Sequence, residues 1–328
     1  MENEKAELNS TIESNNNENK ETRKPHNIFD GTINPSDLLS NYTGRNTLCY
    51  YTTFMQLSGS NDSIERQDVF YISSLCQQMD PEKGLDILIE SPGGSVTDTE
   101  AIVDYLYSRF KDRDIRVIIP NATFSAGTLW ALSAHTILMP EAATLGPIDP
   151  QIILCAEDGI ATSVSAFNVY RAFNAAKDDM AQKLQNKDFW EIQLKKYPPS
   201  AYLIAKDAIR MTGELATKWL TENMFASFSD KNDRAGKVVR NLNRNNGAHD
   251  RRYNYAKCRD MGLNIELIKD TDEMFRLFML AERILLSLCL KERLCKIITG
   301  PNNLSCNIKN RYAFHQQQIN SENEGICV

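Results

Sequence analysis

No Cys-x-x-Cys pair, no uninterrupted apolar run long enough for a bilayer, no Gly-x-Gly-x-x-Gly loop and no internal repeat occur in these 328 residues. Each absence removes a class of protein. The eight cysteines (Cys49, Cys76, Cys155, Cys258, Cys289, Cys295, Cys306 and Cys327) are scattered, which suits reduced thiols in a cytosol and builds neither a zinc site nor a disulfide framework. The most apolar long segment, Met274 to Leu290, is interrupted by Arg276, Glu282 and Arg283. A hydrocarbon core would penalise those charges, so the segment reads as a docked helix and no membrane span is expected. Without the glycine-rich loop there is nothing to hold a nicotinamide cofactor. A net charge of -6 gives no general pull toward nucleic acid, and the basic run from Arg234 to Arg244 is offset by Asp230 and Asp233.

What is present can bury one substantial core. With 42% hydrophobic and 24% charged residues, the chain reads as a single cytoplasmic domain over about residues 28–298. Residues 1–27 are rich in Asn and Glu, lack an apolar signal region and read as a disordered tail. Residues 299–328, rich in Asn and Gln, read as a mobile tail.

Between them, strand and helix patterns alternate. Asn46 to Phe54 reads as a first strand. Ser63 to Met79 has helical spacing at Ile64, Phe70, Ile72, Leu75 and Met79 before Pro81 stops it. The alternation runs on to Met139, the pattern of a parallel sheet with crossover helices. Val164 to Lys196 and Ala201 to Phe225 read as two long helices separated by Pro198-Pro199. Residues 227–249 are polar and read as an inserted loop. Tyr253 to Met261 reads as a short helix ended by Gly262, followed by a strand from Leu263 to Leu267.

Two loops carry the chemistry. The apolar strand Leu85 to Ile89 runs into Ser91-Pro92-Gly93-Gly94, with a helical segment from Val96 to Phe110 behind it. The strand Ile115 to Ile119 leads to Phe124-Ser125-Ala126-Gly127-Thr128-Leu129, with helical spacing onward to His135. Glycines let backbone N–H groups face a reacting oxygen with no Cβ in the way. A serine at a helix start is a placed nucleophile. Loops at the carboxyl ends of neighbouring parallel strands are where such sheets build sites, so the two loops read as one site.

At these residues the sequence resembles the Clp-fold peptidases, which include the Clp protease proteolytic subunit, signal peptide peptidase A and the serine dehydrogenase proteinase (SDH) family. It is most similar to the last, through Pro92-Gly93-Gly94, Ser125-Ala126-Gly127-Thr128-Leu129 and Leu145-Gly146-Pro147-Ile148-Asp149-Pro150-Gln151. The resemblance implies an α/β protein with the Clp/crotonase-like fold, stacked parallel βαβ units with additional C-terminal helices. It implies a serine peptidase acting on polypeptides, Ser125 as nucleophile, the N–H groups of Gly94 and Ala126 as oxyanion holders, no cofactor or metal, and a homo-oligomer.

The base is where the chain departs from the Clp subunit. The histidine of that subunit has no counterpart here, since its place falls on Gly146-Pro147. His135 lies about 15 Å along what reads as the same helix as Ser125, too far to fold back. Two replacements remain open. Lys206, in the apolar frame Ala201 to Ile209, would match the Ser-Lys dyad of signal peptide peptidase A, and a lysine base requires burial; the bland alternative is an exposed lysine beside Asp207. Lys177 and Lys183 are weaker versions of the same idea. His249 with Asp250 resembles a His-Asp pair at this place in the SDH family and would need no burial; its bland alternative is a local hydrogen-bonded turn. Two other functions stay in view. A crotonase-like acyl-CoA enzyme would use the glycine loop without Ser125, and a catalytically silent scaffold would lack a competent base.

Overall fold

In the computed structural model of the chain, the described residues are 33–56, 62–155, 161–182, 186–243, 251–302 and 305–309. The expected tail over residues 1–27 lies outside them, and so do residues 310–328.

The elements run α1 (Pro35–Thr43), β1 (Asn46–Thr52), α2 (Arg66–Cys76), β2 (Leu85–Glu90), α3 (Val96–Arg109), β3 (Ile115–Ile118), β4 (Ala122–Thr123), α4 (Ala126–Ala131), β5 (Thr136–Met139) and β6 (Thr144–Leu145). There follow β7 (Gln151–Cys155), β8 (Ala161–Ser165), α5 (Ala166–Gln182), α6 (Lys187–Leu194), α7 (Ala201–Trp219), α8 (Lys231–Asn243), β9 (Tyr253–Asn254), α9 (Tyr255–Met261), β10 (Ile265–Leu267), α10 (Glu273–Glu292), β11 (Leu294–Thr299) and β12 (Ser305–Lys309).

A seven-stranded sheet in the order β10-β5-β3-β2-β1-β11-β12 forms the centre. The first five of these strands are mutually parallel. Parallel neighbours need crossovers, and α2 and α3 supply two of them. Strand residues alternate between faces. Leu48, Tyr50, Ile87, Ile89 and Val117 face α2, α3 and α4, and Cys49, Tyr51, Leu88 and Ile118 face α1 and α10. Both faces are covered, so β2 is buried along its whole length and reads as a continuous apolar run interrupted only by Asp86 and Glu90. The result is a three-layer α/β sandwich of stacked parallel units with additional C-terminal helices, as the Clp-like reading implies.

Several expectations need correction. Residues 227–249 are not a loop throughout: α8 spans Lys231–Asn243 and buries Ala235, Val238 and Leu242 at helical spacing. Its low overall hydropathy masks a narrow apolar stripe, which suffices when one face alone docks. The stretch from Val164 to Lys196 is not one helix. It begins in the β7–β8 hairpin and continues as α5 and α6. The C-terminal stretch is not a tail throughout, because β12 pairs antiparallel with β11. The helix after Ser125 is only six residues long and ends at Ala131. His135 is therefore not on it; its Nδ1 sits 3.6 Å from Asp114 Oδ1, in keeping with a structural role. Among the described residues no helix is long and apolar enough to cross a membrane.

Candidate active site

The two glycine- and serine-bearing loops meet at the carboxyl ends of β2 and β3. Ser91, directly after β2, bridges Thr123 in parallel, and the N–H of Phe124 donates to Ser91 O at 2.9 Å. The short strand β4 also pairs with β6, so the Leu145-Gly146-Pro147 run lies alongside the approach to Ser125. Gly146 N–H donates to Thr123 O at 2.9 Å and Ser125 N–H donates to Pro147 O at 3.1 Å. The three motifs of the sequence are thus hydrogen-bonded to one another.

Ser125 adopts φ 51° and ψ -121°. A positive φ on a residue with a Cβ is uncommon, and here it turns the chain from β4 straight into α4. The side chain stays partly exposed. It opens on a cleft of about 400 Å³ lined by Pro92, Gly93, Gly94, Ser125, Gln151 and Met211, among others.

The glycine loop is shaped by a neighbouring segment. Ile64 N–H donates to Gly93 O at 2.7 Å, and Ser95 N–H donates to Ile64 O at 2.9 Å. In a parallel bridge of this kind the residue between, Gly94, turns its own N–H to the opposite side. Gly94 has φ 150° and Gly93 φ 104°, values that favour glycine. A Cβ on Gly94 would meet the backbone of Ile64, and one on Gly93 would lie 3.0 Å from Ala126 N. Among the described residues neither the Gly94 N–H nor the Ala126 N–H donates to an acceptor. Two donors free beside a serine hydroxyl are what an oxyanion needs.

The candidate bases fare differently. Helix α7 does cover the cleft, but through Ala208, Met211 and Thr212. At about 100° per residue those positions centre on the side of the helix opposite Lys206. Lys206 is exposed, so the burial that a lysine base requires is not met. Lys177 is exposed as well. Lys183, His249 and Asp250 lie outside the described residues. The chain beyond them is well placed: Tyr253 pairs with Leu145 and Asn254 with Thr144. The Arg252 guanidinium sits 5.6 Å from the centroid of the Phe124 ring, next to Ser125. None of the described residues lining the cleft is a His, Lys, Asp or Glu.

Residues 67–183 match the model of the ClpP-like SDH-type serine proteinases. Over that stretch the chain is similar to this family. Two uncharacterized proteins of Methanocaldococcus jannaschii are 42% identical over 71 residues and 40% identical over 68 residues. Those stretches amount to 22% and 21% of this chain and 24% and 23% of the relatives, so the chain spans about a quarter of the length of the curated relatives it matches. A mutant ClpP1 from Listeria monocytogenes aligns with a TM-score of 0.35 at 15% identity, over 72% of this chain and 99% of that one.

The sequence reading missed one group close to this candidate site. Lys296, on β11, is fully buried and donates to the carbonyl of Ser63, a residue of the cleft wall. Its partners are far away in the chain, and β11 joins the sheet antiparallel, so no local pattern could have announced it.

Proposed function

We propose that the chain is a serine peptidase in which the Ser125 hydroxyl attacks the carbonyl of a polypeptide substrate. The observation that carries this reading is the backbone of Ser125, held at φ 51° and ψ -121° on the rim of a cleft. Strain of this kind costs on the order of 1–3 kcal/mol and persists where it aims a reacting atom. As Oγ adds to the carbonyl carbon, the π electron pair moves onto oxygen, where the N–H groups of Gly94 and Ala126 receive the charge. The Oγ proton passes to a base and then to the leaving amine, and water repeats the sequence on the acyl-enzyme.

In this reading His249 is the base and Asp250 orients it. What supports it is the position of Arg252 against Phe124 and of Tyr253 beside Leu145, two and more residues further on. The outward placement of Lys206 counts against the lysine alternative. A cytosolic setting is supported by the thiols of Cys49, Cys76, Cys258 and Cys289, none of which is in a disulfide. Self-association is supported by the exposed apolar side chains Ile153, Phe189, Ile192 and Leu203.

A second reading, the catalytically silent scaffold, is favoured by one observation: no titratable side chain lines the described cleft. A fluorophosphonate probe followed by intact-mass measurement and peptide mapping separates the two. The peptidase gives a single adduct on Ser125, and the scaffold gives none. A crotonase-like enzyme would turn over an acyl-CoA thioester without any adduct.

A further inference from the structure

The Lys296 side chain is fully buried, and so is that of its partner Asp68 on α2. The ammonium donates to Asp68 Oδ1 at 3.0 Å, to Asp68 Oδ2 at 2.8 Å and to Ser63 O at 2.7 Å. Three N–H bonds thus meet three acceptors, the full capacity of a lysine head. Asp68 is itself fixed by the Tyr50 hydroxyl at 2.8 Å and by the Glu65 N–H at 3.0 Å. The Lys296 ammonium also lies 5.5 Å from the centroid of the Tyr50 ring, whose edge meets Trp130 of α4. The ion pair therefore ties β11, α2 and β1 to one point, and that point holds the carbonyl of Ser63.

Ser63 is followed by Ile64, and Ile64 is the residue whose N–H and C=O grip Gly93 and Ser95 on either side of Gly94. We infer that Lys296 is a positioning residue for the oxyanion-holding loop: through Ser63 and Ile64 it fixes Gly93-Gly94 so that the Gly94 N–H faces the cleft. The inference rests on the serine-peptidase reading. It adds to that reading a residue remote in sequence, on a strand that contributes nothing else to the cleft. The choice of lysine follows from the acceptor set, since a neutral side chain could neither serve three oxygens at once nor balance the buried Asp68 charge.

An oxyanion donor acts more strongly in the transition state than in the ground state, so misplacing it slows the chemical step and leaves encounter affinity largely intact. Lys296→Met alone would strand the Asp68 carboxylate in the core. The informative variant is the compensated pair Lys296→Met/Asp68→Asn, whose amide oxygen can still accept from Tyr50 and Glu65. With a fluorophosphonate probe on the full chain, the maximal rate of Ser125 phosphonylation should fall by about tenfold or more, with half-saturation within about threefold of wild type. Amides of Ile64 and Ser95 should exchange with solvent at least about 100-fold more slowly than unprotected amides in wild type, and lose that protection in the pair. A folded pair with the wild-type phosphonylation rate overturns the inference. So do unprotected Ile64 and Ser95 amides in wild type. A pair that does not fold overturns it too, by making Lys296 a core residue only. Failure of the peptidase reading looks different, because the wild-type protein would then give no Ser125 adduct at all.

Discussion

A methyl group on Gly93 would lie 2.7 Å from the Cβ of Ser125, closer than side-chain carbons approach in folded proteins. The Gly93-Gly94 loop and the Ser125 turn are therefore in direct contact, and neither can shift without moving the other. The same methyl would meet Phe124 O at 2.7 Å, so relief by a rotamer change is closed.

Gly93→Ala should accordingly cut kcat/KM for peptide hydrolysis by about 100-fold or more, the scale of losing one oxyanion donor. The φ of 104° at this position adds backbone strain to the steric clash. Steady-state kinetics on a fluorogenic peptide, beside a circular dichroism spectrum to establish that the fold survives, make the comparison. Near-wild-type turnover would show that the loops are not coupled.

Replacing the nucleophile separates chemistry from strain. Ser125→Ala should abolish hydrolysis and keep the strained φ of 51°, whereas Ser125→Gly should abolish hydrolysis and relieve it. Glycine at a positive φ regains on the order of 1 kcal/mol relative to alanine. The glycine variant should therefore melt about 2–4 °C above the alanine variant, the shift expected of that energy in a domain of this class. Two inactive proteins with equal melting temperatures would remove the strain argument, and an active one would remove Ser125 from the mechanism.

The parts of this molecule that follow from local pattern were legible in the sequence, and the parts made by distant pairing were not. Leu85 to Ile89 announces β2 by its apolar run, and the helical segment read from Val96 to Phe110 is met by α3. The meeting of the two loops was legible because glycine and serine requirements at a strand-turn-helix are local. The end of β8 was read into the helix because Val164-Ser165 run directly into α5 with no turn residue between them. Lys206 misled because an apolar frame says that a helix docks without saying which face it docks by. Lys296 stayed hidden because Asp68 and Ser63 find it only through the order of strands in the sheet.

The base is decided by two variants measured on one substrate. His249→Ala should lower kcat by about 100-fold or more, within the usual contribution of general base catalysis, and Lys206→Met should leave it within about twofold because the side chain points away from the cleft. The wild-type rate should climb with pH around the ordinary histidine value of about 6.5. A rate carried by Lys206 would instead vanish in Lys206→Met and survive in His249→Ala, and that pattern would reverse the assignment.

A buried acid pair under the site makes the fold itself sensitive to pH. Glu90, fully buried at the end of β2, has its carboxyl pushed up to about 8 by burial, with the Asn121 amide pulling the other way and Glu282 adding to the rise. Asn121 donates to Glu90 Oε2 at 2.8 Å, Tyr51 donates to Glu282 Oε1 at 3.0 Å, and among the described residues Glu90 Oε1 has no partner. In the unfolded chain the same carboxyl loses its proton near 4.5. Below that value both states hold the proton and the group costs nothing. Between about 4.5 and 8 the folded state binds more protons than the unfolded one, so stability falls as pH rises, by roughly 1.4 kcal/mol per pH unit at most. Above about 8 both states are ionised and the loss is complete, at a few kcal/mol in total. Glu90→Gln keeps an acceptor for Asn121 and cannot ionise. Its melting temperature should match wild type near pH 5 and exceed it by several degrees at pH 8.5, measured by scanning calorimetry in a buffer series. Parallel pH profiles for the two proteins would mean that Glu90 is ionised in the native state and that the sheet accommodates its charge.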